Sequence, residues 1–262
     1  MSEQAADPRP GVLRELQDGV AILSFNRPEK HNAGAHDPSA LEWAHNNPDV
    51  RVIVIRGEGK SFNSGRDTTL LGTREGDEGD FEFVRRATLM RINGLYRSKP
   101  VIAAVKGYAI GGGFEAALAA DIRVGSRDAK LCLAEIRYGI LPDTGGTQML
   151  TTLIGPARTK YMVLSGDYVD GQTAYEWGIF DFLVDTPEET DTKALEIART
   201  IASRSPAAVE MGKQLVDQMY VGDVANGIRQ ELLAQTALFQ TDDYKEQRAA
   251  LREKRPPVFK RR

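Results

Sequence analysis

The sequence has very little cysteine, no long apolar run and almost no excess charge. Cys132 is the single cysteine among 262 residues, so an internal disulfide and a cysteine-based metal cluster are excluded. Its neighbours Leu131 and Leu133 predict a packed, inert thiol. The longest apolar runs, Val52–Ile55 and Val101–Val105, are far shorter than the roughly 20 residues that span a bilayer. We therefore expect a cytoplasmic protein without a membrane-spanning segment.

The charge balance narrows the possible partners. The chain carries 34 basic and 37 acidic side chains, a formal charge of −3, and thus lacks the basic excess typical of proteins that bind nucleic acid or anionic membranes. Residues 1–11 lack the basic and apolar parts of a secretory signal. The three histidines, at 31, 36 and 45, lack the spacing and the carboxylate pattern of a metal site. We expect no nucleic-acid partner, no membrane partner and no bound metal.

Short apolar strands alternate with helical segments along most of the chain. Val20, Ile22 and Phe25 predict an alternating strand, whereas Val50–Ile55 and Val101–Val105 are continuous apolar runs. Continuous runs indicate a sheet that is covered on both faces. Helical segments are predicted at 81–96, at 114–120 and at 147–164, the last interrupted at Gly155-Pro156. This alternation favours an α/β fold.

After a short strand at 180–184 the pattern predicts helices alone. Ser205 followed by Pro206 is typical of an N-cap and a first helical residue. Apolar residues recur at helical spacing from Ile228 to Phe239, and a charged helix is predicted at 242–254. We predict an α/β core over residues 1–190 and a C-terminal helical region over residues 191–262. Two roles fit this region equally well: a cap on the chain's own core, and a subunit interface.

The glycines at 111, 112 and 113 follow a buried strand and open an alanine-rich helix. Glycine lets backbone N–H groups approach a ligand closely, and a helix N-terminus adds partial positive charge, so this loop suits a negatively charged oxygen. A dinucleotide-binding fingerprint competes, because Gly111, Gly113 and Ala116 satisfy its pattern. Five residues separate the strand from Gly111, however, and Glu115 would place a carboxylate where the pyrophosphate should lie. Both features disfavour that alternative.

Two further loops and a second glutamate complete the candidate groups. Ser61–Asp67 follows a buried strand, and Leu141–Thr147 opens a helix. Glu135 interrupts a strand-like apolar segment, Leu131–Ile136. Taken singly, the loops fit ordinary turns and helix caps, Glu115 fits an acid that stabilises a helix dipole, and Glu135 fits an exposed position. The spacing of the two glutamates does not by itself show that they converge.

Together these segments resemble the enoyl-CoA hydratase/isomerase family of the crotonase superfamily. The resemblance extends from Val20 to the C-terminus, and the segments occur in the family's order: Asn26–Ala33, Phe62–Asp67, Lys99–Val105, Gly107–Glu115, Ala134–Ile136, Leu141–Gln148 and Glu253–Phe259. It implies an α/β fold of the crotonase-like kind, a spiral of ββα units followed by an all-helical C-terminal oligomerisation region. Proteins of this family form homo-trimers that often pair into hexamers.

The resemblance also implies a chemistry. Substrates of the family are acyl-CoA thioesters, and an oxyanion hole is made by two backbone N–H groups, here those of Arg66 and Gly112. Hydratases of the family carry two glutamates, and both positions are filled here, by Glu115 and Glu135. The implied reaction is syn addition of water to an α,β-unsaturated acyl-CoA, a lyase activity of fatty-acid β-oxidation. Glu115 would activate the water and Glu135 would transfer the proton at the α carbon.

The resemblance assigns further residues to binding of the substrate's coenzyme A portion. Coenzyme A enters as part of the substrate, so no separate cofactor is implied. The residues are Lys30 and Ala33, Ser64 with the backbone from Arg66 through Asp67 and Thr68 to Thr69, Gly112, and Lys254, which would come from a neighbouring subunit.

Three features depart from the family pattern. The segment Gly34–Asn47 is short, with Asp37 and Pro38 predicted to cap and open a helix of about two turns. Arg66 stands where a small residue is usual. Phe114 lies next to Glu115 in the sequence, and Asp143 belongs to the loop that faces it by analogy.

Two alternatives to a hydratase therefore stay open. One is a double-bond isomerase, a hydrolase or another enolate-forming enzyme of the same superfamily. The other is a non-catalytic acyl-CoA-binding protein.

Overall fold

The computed structural model describes residues 11–70, 97–218 and 233–260, together with Gly79, Glu82 and Arg85. The strands are β1 (Val12–Gln17), β2 (Val20–Phe25), β3 (Val52–Gly57), β4 (Val101–Val105), β5 (Tyr108–Ile110), β6 (Ile122–Ser126), β7 (Lys130–Cys132), β8 (Val169–Asp170) and β9 (Phe182–Val184). The helices are α1 (Pro38–Asn46), α2 (Gly112–Leu118), α3 (Gly146–Ser165), α4 (Gly171–Trp177), α5 (Pro187–Ala202), α6 (Pro206–Asp217) and α7 (Asp242–Glu253). Short 3-10 helices cover Pro28–Lys30, Thr68–Leu70 and Ala134–Tyr138, and residues 233–238 are also helical. Apart from Glu82 and Arg85, the helix predicted at 81–96 lies outside the described residues, as do residues 219–232.

The strands form two sheets. A six-stranded sheet has the order β1-β2-β3-β4-β6-β9, parallel except for the antiparallel pair β1-β2, and a three-stranded sheet has the order β5-β7-β8. The successive pairs β4-β5 and β6-β7 each place their first strand in the large sheet and their second in the small one. Helix α2 follows the first pair and α3 the second. The predicted α/β class and its spiral of ββα units are therefore confirmed.

Both faces of the large sheet are covered. Strand β2 is buried from Val20 to Ser24, so the predicted alternation of buried and exposed residues is wrong. The cause is packing on both sides: Ile22 belongs to the same cluster as the buried alanines of α5, and Leu23 to the same cluster as those of α1. A third cluster, which includes Phe62 and Phe114, fills the space around the small sheet.

Helix α5 packs the start of the C-terminal helical region, called the tail below, against the core. It begins at Pro187, and its buried alanines at 194, 198 and 202 pack in one cluster with strands β2, β3, β4 and β6. The predicted boundary at residue 190 thus falls inside a helix that completes the core. The division into two regions stays a prediction. The first part of the tail covers the chain's own sheet.

The chain beyond α5 is anchored at the edge of the sheet where β3 begins. Arg51 donates hydrogen bonds of 3.0 Å to the carbonyl oxygens of Ala202 and Phe259. Ser205 occupies the N-cap position of α6 and Pro206 opens the helix, as predicted. The Ser205 hydroxyl makes no capping hydrogen bond and contacts the carboxylate of Asp243 at 2.9 Å instead. The other oxygen of Asp243 accepts from the N–H of Lys260 at 2.7 Å. Residues 255–260 therefore fold back along α7.

Two local predictions about helices are confirmed. Asp37 caps α1 by accepting a 3.0 Å hydrogen bond from the Ser39 N–H, and Pro38 opens the helix. Gly155 interrupts α3 with φ 74° and ψ 170°. No helix among the described residues is long and apolar enough to cross a membrane.

Candidate active site

The loop after β3 is aligned on strand β5 through Asn63. The Asn63 N–H donates to the Tyr108 carbonyl, and the Ile110 N–H donates to the Asn63 carbonyl, both at 3.0 Å. The Asn63 side-chain oxygen accepts from the Gly65 N–H at 2.8 Å. The backbone leading to Arg66 therefore follows the end of β5 closely.

Gly65 brings this loop against the glycine-rich turn. A Cβ atom built on Gly65 would lie 2.5 Å from the Ile110 carbonyl oxygen and 3.7 Å from the Gly112 nitrogen, and its φ is +85°. Only glycine can adopt this positive φ and lie so close to the Ile110 carbonyl oxygen. Gly65, the residue before Arg66, therefore lies beside the backbone of Gly112.

Gly112 borders open space. A Cβ atom built on it would meet no heavy atom of the described residues within 4 Å. Gly112 is the first residue of α2, where backbone N–H groups have no acceptor inside their own helix. The turn between β5 and α2 therefore presents backbone to a space that a substrate could occupy.

Glu115 is buried, with 1% of its surface exposed, and three donors contact its carboxylate. Its Oε1 accepts from the backbone N–H groups of Thr144 at 3.0 Å and Gly146 at 2.8 Å. Its Oε2 accepts from the Thr144 hydroxyl at 2.6 Å. Gly146 is the first residue of α3, so the carboxylate lies at a helix N-terminus, where negative charge is stabilised. The alternative of an acid that serves only its own helix does not fit these contacts.

Glu135 lies in the first turn of the 3-10 helix Ala134–Tyr138. The expectation that it interrupts a strand-like segment is wrong, since β7 ends at Cys132. The half-buried side chain has a buried Oε2 with no hydrogen-bond partner among the described residues. Burial raises the pKa of Glu135 to about 7, and the nearby carboxylates of Glu115 and Asp143 act in the same direction.

The two glutamates contact glycines of two different turns, and they lie close enough for the Glu115 carboxylate to raise the pKa of Glu135. A Cβ atom on Gly111 would lie 2.7 Å from Glu135 Oε1, and one on Gly146 would lie 2.9 Å from Glu115 Oε1. Each carboxylate thus rests against a glycine backbone. The structure brings together Glu115, Glu135 and Gly112, which the sequence could only name separately.

The residues predicted to bind coenzyme A in the loops that follow β2 and β3 also lie close together. Lys30 pairs with Asp67 at 2.9 Å, and the Ser64 hydroxyl donates to the Lys30 carbonyl at 3.3 Å. Ala33 accepts at its carbonyl from the Arg27 guanidinium at 2.7 Å. The Thr69 hydroxyl contacts the other oxygen of Asp67 at 2.7 Å, and Thr68 is its exposed neighbour. Hydrogen bonds from Thr69 and Lys30 lower the pKa of Asp67 to about 2.

Lys254 lies elsewhere in this chain. It follows the last residue of α7 in a left-handed conformation with φ 54°, and it is exposed. Helix α7 and the tail are anchored through Asp243 and Arg51 near the start of β3, whereas the loops that carry Lys30 and Arg66 follow the ends of β2 and β3. None of the described contacts joins Lys254 to those loops.

Sequence reasoning missed three residues that shape the site. Buried Asn32 donates from its side-chain amide to the carbonyl oxygens of Glu58, Ser61 and Phe62 at 2.8 to 3.1 Å. Asn63 supports the neighbouring loop, and Thr144 binds Glu115. All three lie in segments that the sequence singles out, and asparagine in a turn is itself a signal of side-chain to backbone bonding.

Comparison with known proteins decides the family. A profile of the family described as Enoyl-CoA hydratase/isomerase matches residues 15–262. The chain belongs to this family. It is 33% identical over 251 residues to the short-chain-enoyl-CoA hydratase of Clostridium acetobutylicum, covering 93% of this chain and 95% of that protein. It is 34% identical over 271 residues to the carnitinyl-CoA dehydratase of Salmonella enteritidis, covering all of both chains.

Solved structures of the family have the same fold. An enoyl-CoA hydratase subunit from Geobacillus kaustophilus superposes with a TM-score of 0.86 at 32% sequence identity, over 96% of this chain and 98% of that one. The resemblance inferred from the loop motifs is therefore confirmed. A dinucleotide-binding fold has no support from this match.

Proposed function

We propose that this member of the enoyl-CoA hydratase/isomerase family is an enoyl-CoA hydratase, which adds water across the α,β double bond of an acyl-CoA thioester. The observation that carries the proposal is the contrast between the surroundings of two neighbouring carboxylates. Three donors hold Glu115, while Glu135 is half-buried with a pKa of about 7. One group is fixed as an acceptor, and the other can carry a proton near neutral pH.

The reaction follows from this arrangement. The backbone N–H groups of Arg66 and Gly112 donate hydrogen bonds to the thioester oxygen and stabilise the enolate as negative charge develops on that oxygen. The carboxylate of Glu115 takes a proton from water as the water oxygen bonds to the β carbon. Glu135 delivers its proton to the α carbon, and one water molecule has then been added.

The remaining predicted residues would bind the coenzyme A portion of the substrate. Ala33, Ser64 and the backbone from Arg66 to Thr69 would line the path of coenzyme A, with Lys30 held at its edge by Asp67. Lys254 would contact the coenzyme A of a second subunit, since its own chain anchors it elsewhere. Coenzyme A is part of the substrate, and the proposed steps call for no further cofactor or metal.

The names of two relatives support the same reaction type. The Clostridium protein is named as a short-chain-enoyl-CoA hydratase, and the Salmonella protein as a carnitinyl-CoA dehydratase, which names the reverse direction. We further propose a cytoplasmic, homo-trimeric or hexameric enzyme of fatty-acid β-oxidation.

The direct test is hydration of crotonyl-CoA or a longer enoyl-CoA, followed by loss of the conjugated thioester absorbance. Glu115→Gln and Glu135→Gln keep the side-chain shape and remove the titratable group, and each should lower kcat by roughly 100-fold or more. Unchanged activity in both variants would contradict the proposed roles.

Product analysis separates the alternatives. A hydratase product contains one added water, an isomerase product has the mass of the substrate, and a hydrolase releases free coenzyme A. A binding protein would retain the ester without turnover. A panel of short, long, branched and cyclic enoyl-CoAs would then identify the preferred acyl group.

A further inference from the structure

Thr144 is the one described residue that contacts both oxygens of the Glu115 carboxylate. Its backbone N–H donates to Oε1 at 3.0 Å, and its hydroxyl donates to Oε2 at 2.6 Å. The second donor to Oε1 is the Gly146 N–H at 2.8 Å. The hydroxyl is therefore the side-chain component of a contact that is otherwise made by backbone.

The hydroxyl determines what Oε2 can still bind. A carboxylate offers about four acceptor positions, two on each oxygen. Two N–H groups occupy Oε1, and among the described residues the Thr144 hydroxyl is the donor to Oε2. The position left for a water molecule is thus the second one on Oε2, and the hydroxyl fixes its direction.

We propose that Thr144 is a positioning residue that orients the Oε2 atom of Glu115 toward the attacking water. The inference rests on the proposed hydratase function and adds a residue to it. Thr144 acts through Glu115 and does not itself contact the reacting atoms. Glu135 belongs to a different element, and the hydrogen bonds described for Thr144 go to Glu115, so the two proton transfers should depend on Thr144 unequally.

The variants isolate the hydroxyl. Thr144→Val keeps the size and branching of the side chain but removes the donor, whereas Thr144→Ser keeps the donor. Losing a hydrogen bond to a charged group predicts a kcat roughly 10- to 100-fold lower in Thr144→Val, with KM changed by about twofold or less. Thr144→Ser should retain most of the wild-type kcat.

A matched control is available in α3. The hydroxyl of Thr152 is exposed and donates to the Met149 carbonyl at 2.7 Å, so Thr152→Val makes the same chemical change away from Glu115. Its kcat and KM should equal those of the wild type. Circular dichroism and thermal unfolding of all variants report whether each one folds.

A second readout separates the two glutamates. A saturated thioester such as butyryl-CoA cannot be hydrated, but its α proton can still be exchanged. In this exchange Glu135 removes the α proton, the oxyanion hole binds the enolate, and a deuteron from heavy water is then added to the α carbon. Exchange of that α proton needs no water on Glu115. Thr144→Val should therefore lose hydration while retaining exchange at close to the wild-type rate, as measured by NMR.

The outcomes are distinct. Loss of hydration with retained exchange and rescue by serine supports the proposal. Full hydration activity in Thr144→Val, or equal loss of hydration and exchange, overturns it. Wild-type protein that fails to hydrate any enoyl-CoA would instead overturn the proposed function, and the inference with it.

Discussion

At the scale of single residues, the site depends on how two carboxylates are satisfied. Glu115 is held at three acceptor positions, and Glu135 keeps a buried Oε2 without a partner among the described residues. Two carboxylates that interact titrate as a pair, so the reactive form is the pair that carries one proton. In the proposed hydration that proton would start on Glu135 and would lie on Glu115 once the product has formed.

The pH dependence follows with a definite sign. Burial raises the pKa of Glu135 to about 7, so the transferable proton is present below that pH and lost above it. The value of kcat/KM should fall as pH rises through about 7. The kcat/KM values for hydration and for dehydration should have the same pH profile, because the ratio of these two values equals an equilibrium constant that does not depend on pH. A kcat/KM that stays flat from pH 6 to 9 would contradict the assignment.

Gly111 offers a second test at this scale. Its φ is +53°, and a Cβ atom would lie 2.7 Å from Glu135 Oε1. Gly111→Ala should strain the turn and displace the carboxylate, lowering kcat/KM at least roughly tenfold. Gly212→Ala in α6 is the matched control, because a Cβ there meets no described atom within 4 Å. That control should keep full activity and gain about 0.5 to 1 kcal/mol of helix stability.

The sequence predicts the identity of these residues better than their arrangement. Glu115 and Glu135 both occur in recognisable segments, but a separation of 20 residues says nothing about distance in space. The sequence does not predict that Thr144 contacts Glu115, because this contact depends on how α3 packs against α2.

At the scale of elements, Asp67 ties together the two loops that follow β2 and β3. Its Oδ2 lies 2.9 Å from Lys30 and 3.6 Å from Arg27, and its Oδ1 accepts from the N–H and hydroxyl of Thr69. Asp67 is 6% exposed and directly follows Arg66. The position of a proposed oxyanion donor thus depends on this carboxylate.

Asp67→Asn should lower the free energy of unfolding by about 1.5 to 3 kcal/mol, because hydrogen bonds to a charged group are replaced by weaker ones. Differential scanning calorimetry measures the loss. Asp185→Asn is the control, since Asp185 pairs with Arg127 but its side chain is 77% exposed, and its effect should stay within about 0.5 kcal/mol. Equal effects in the two variants would show that Asp67 has no special role.

The elements that the sequence predicts are those with long patterns or clear ends. Strands β3 and β4 show as apolar runs, and α1 shows through Asp37 and Pro38. Strands β5 and β8 span three and two residues, too few for any periodicity to appear. The sequence predicts a strand where Glu135 lies in a 3-10 helix, because a short apolar segment fits both kinds of structure.

At the scale of the whole molecule, the C-terminal helices leave large apolar side chains exposed in the single chain. Val216, Leu233, Leu251 and Val258 are each at least 63% exposed. Helix α5 already covers the chain's own sheet, so the later helices have apolar surface to spare. This favours the subunit-interface role over a simple cap for residues beyond α5.

Light scattering after size exclusion should give three or six times the mass of one chain. Leu251→Glu should shift the population toward smaller species, because a charge would be buried in the interface. Leu16→Glu, on strand β1 outside the helical region, should leave the mass unchanged. A wild-type monomer at micromolar concentration would contradict the assembly.

The most direct test of the account is the product formed from an enoyl-CoA in heavy water. Addition by the proposed route predicts a β-hydroxyacyl-CoA that carries one deuterium on the α carbon, with the thioester intact, as read by mass spectrometry and NMR. The rate of product formation should fall sharply in both Glu115→Gln and Glu135→Gln. A product without added water, release of free coenzyme A as the main reaction, or unchanged turnover in both variants would contradict the account.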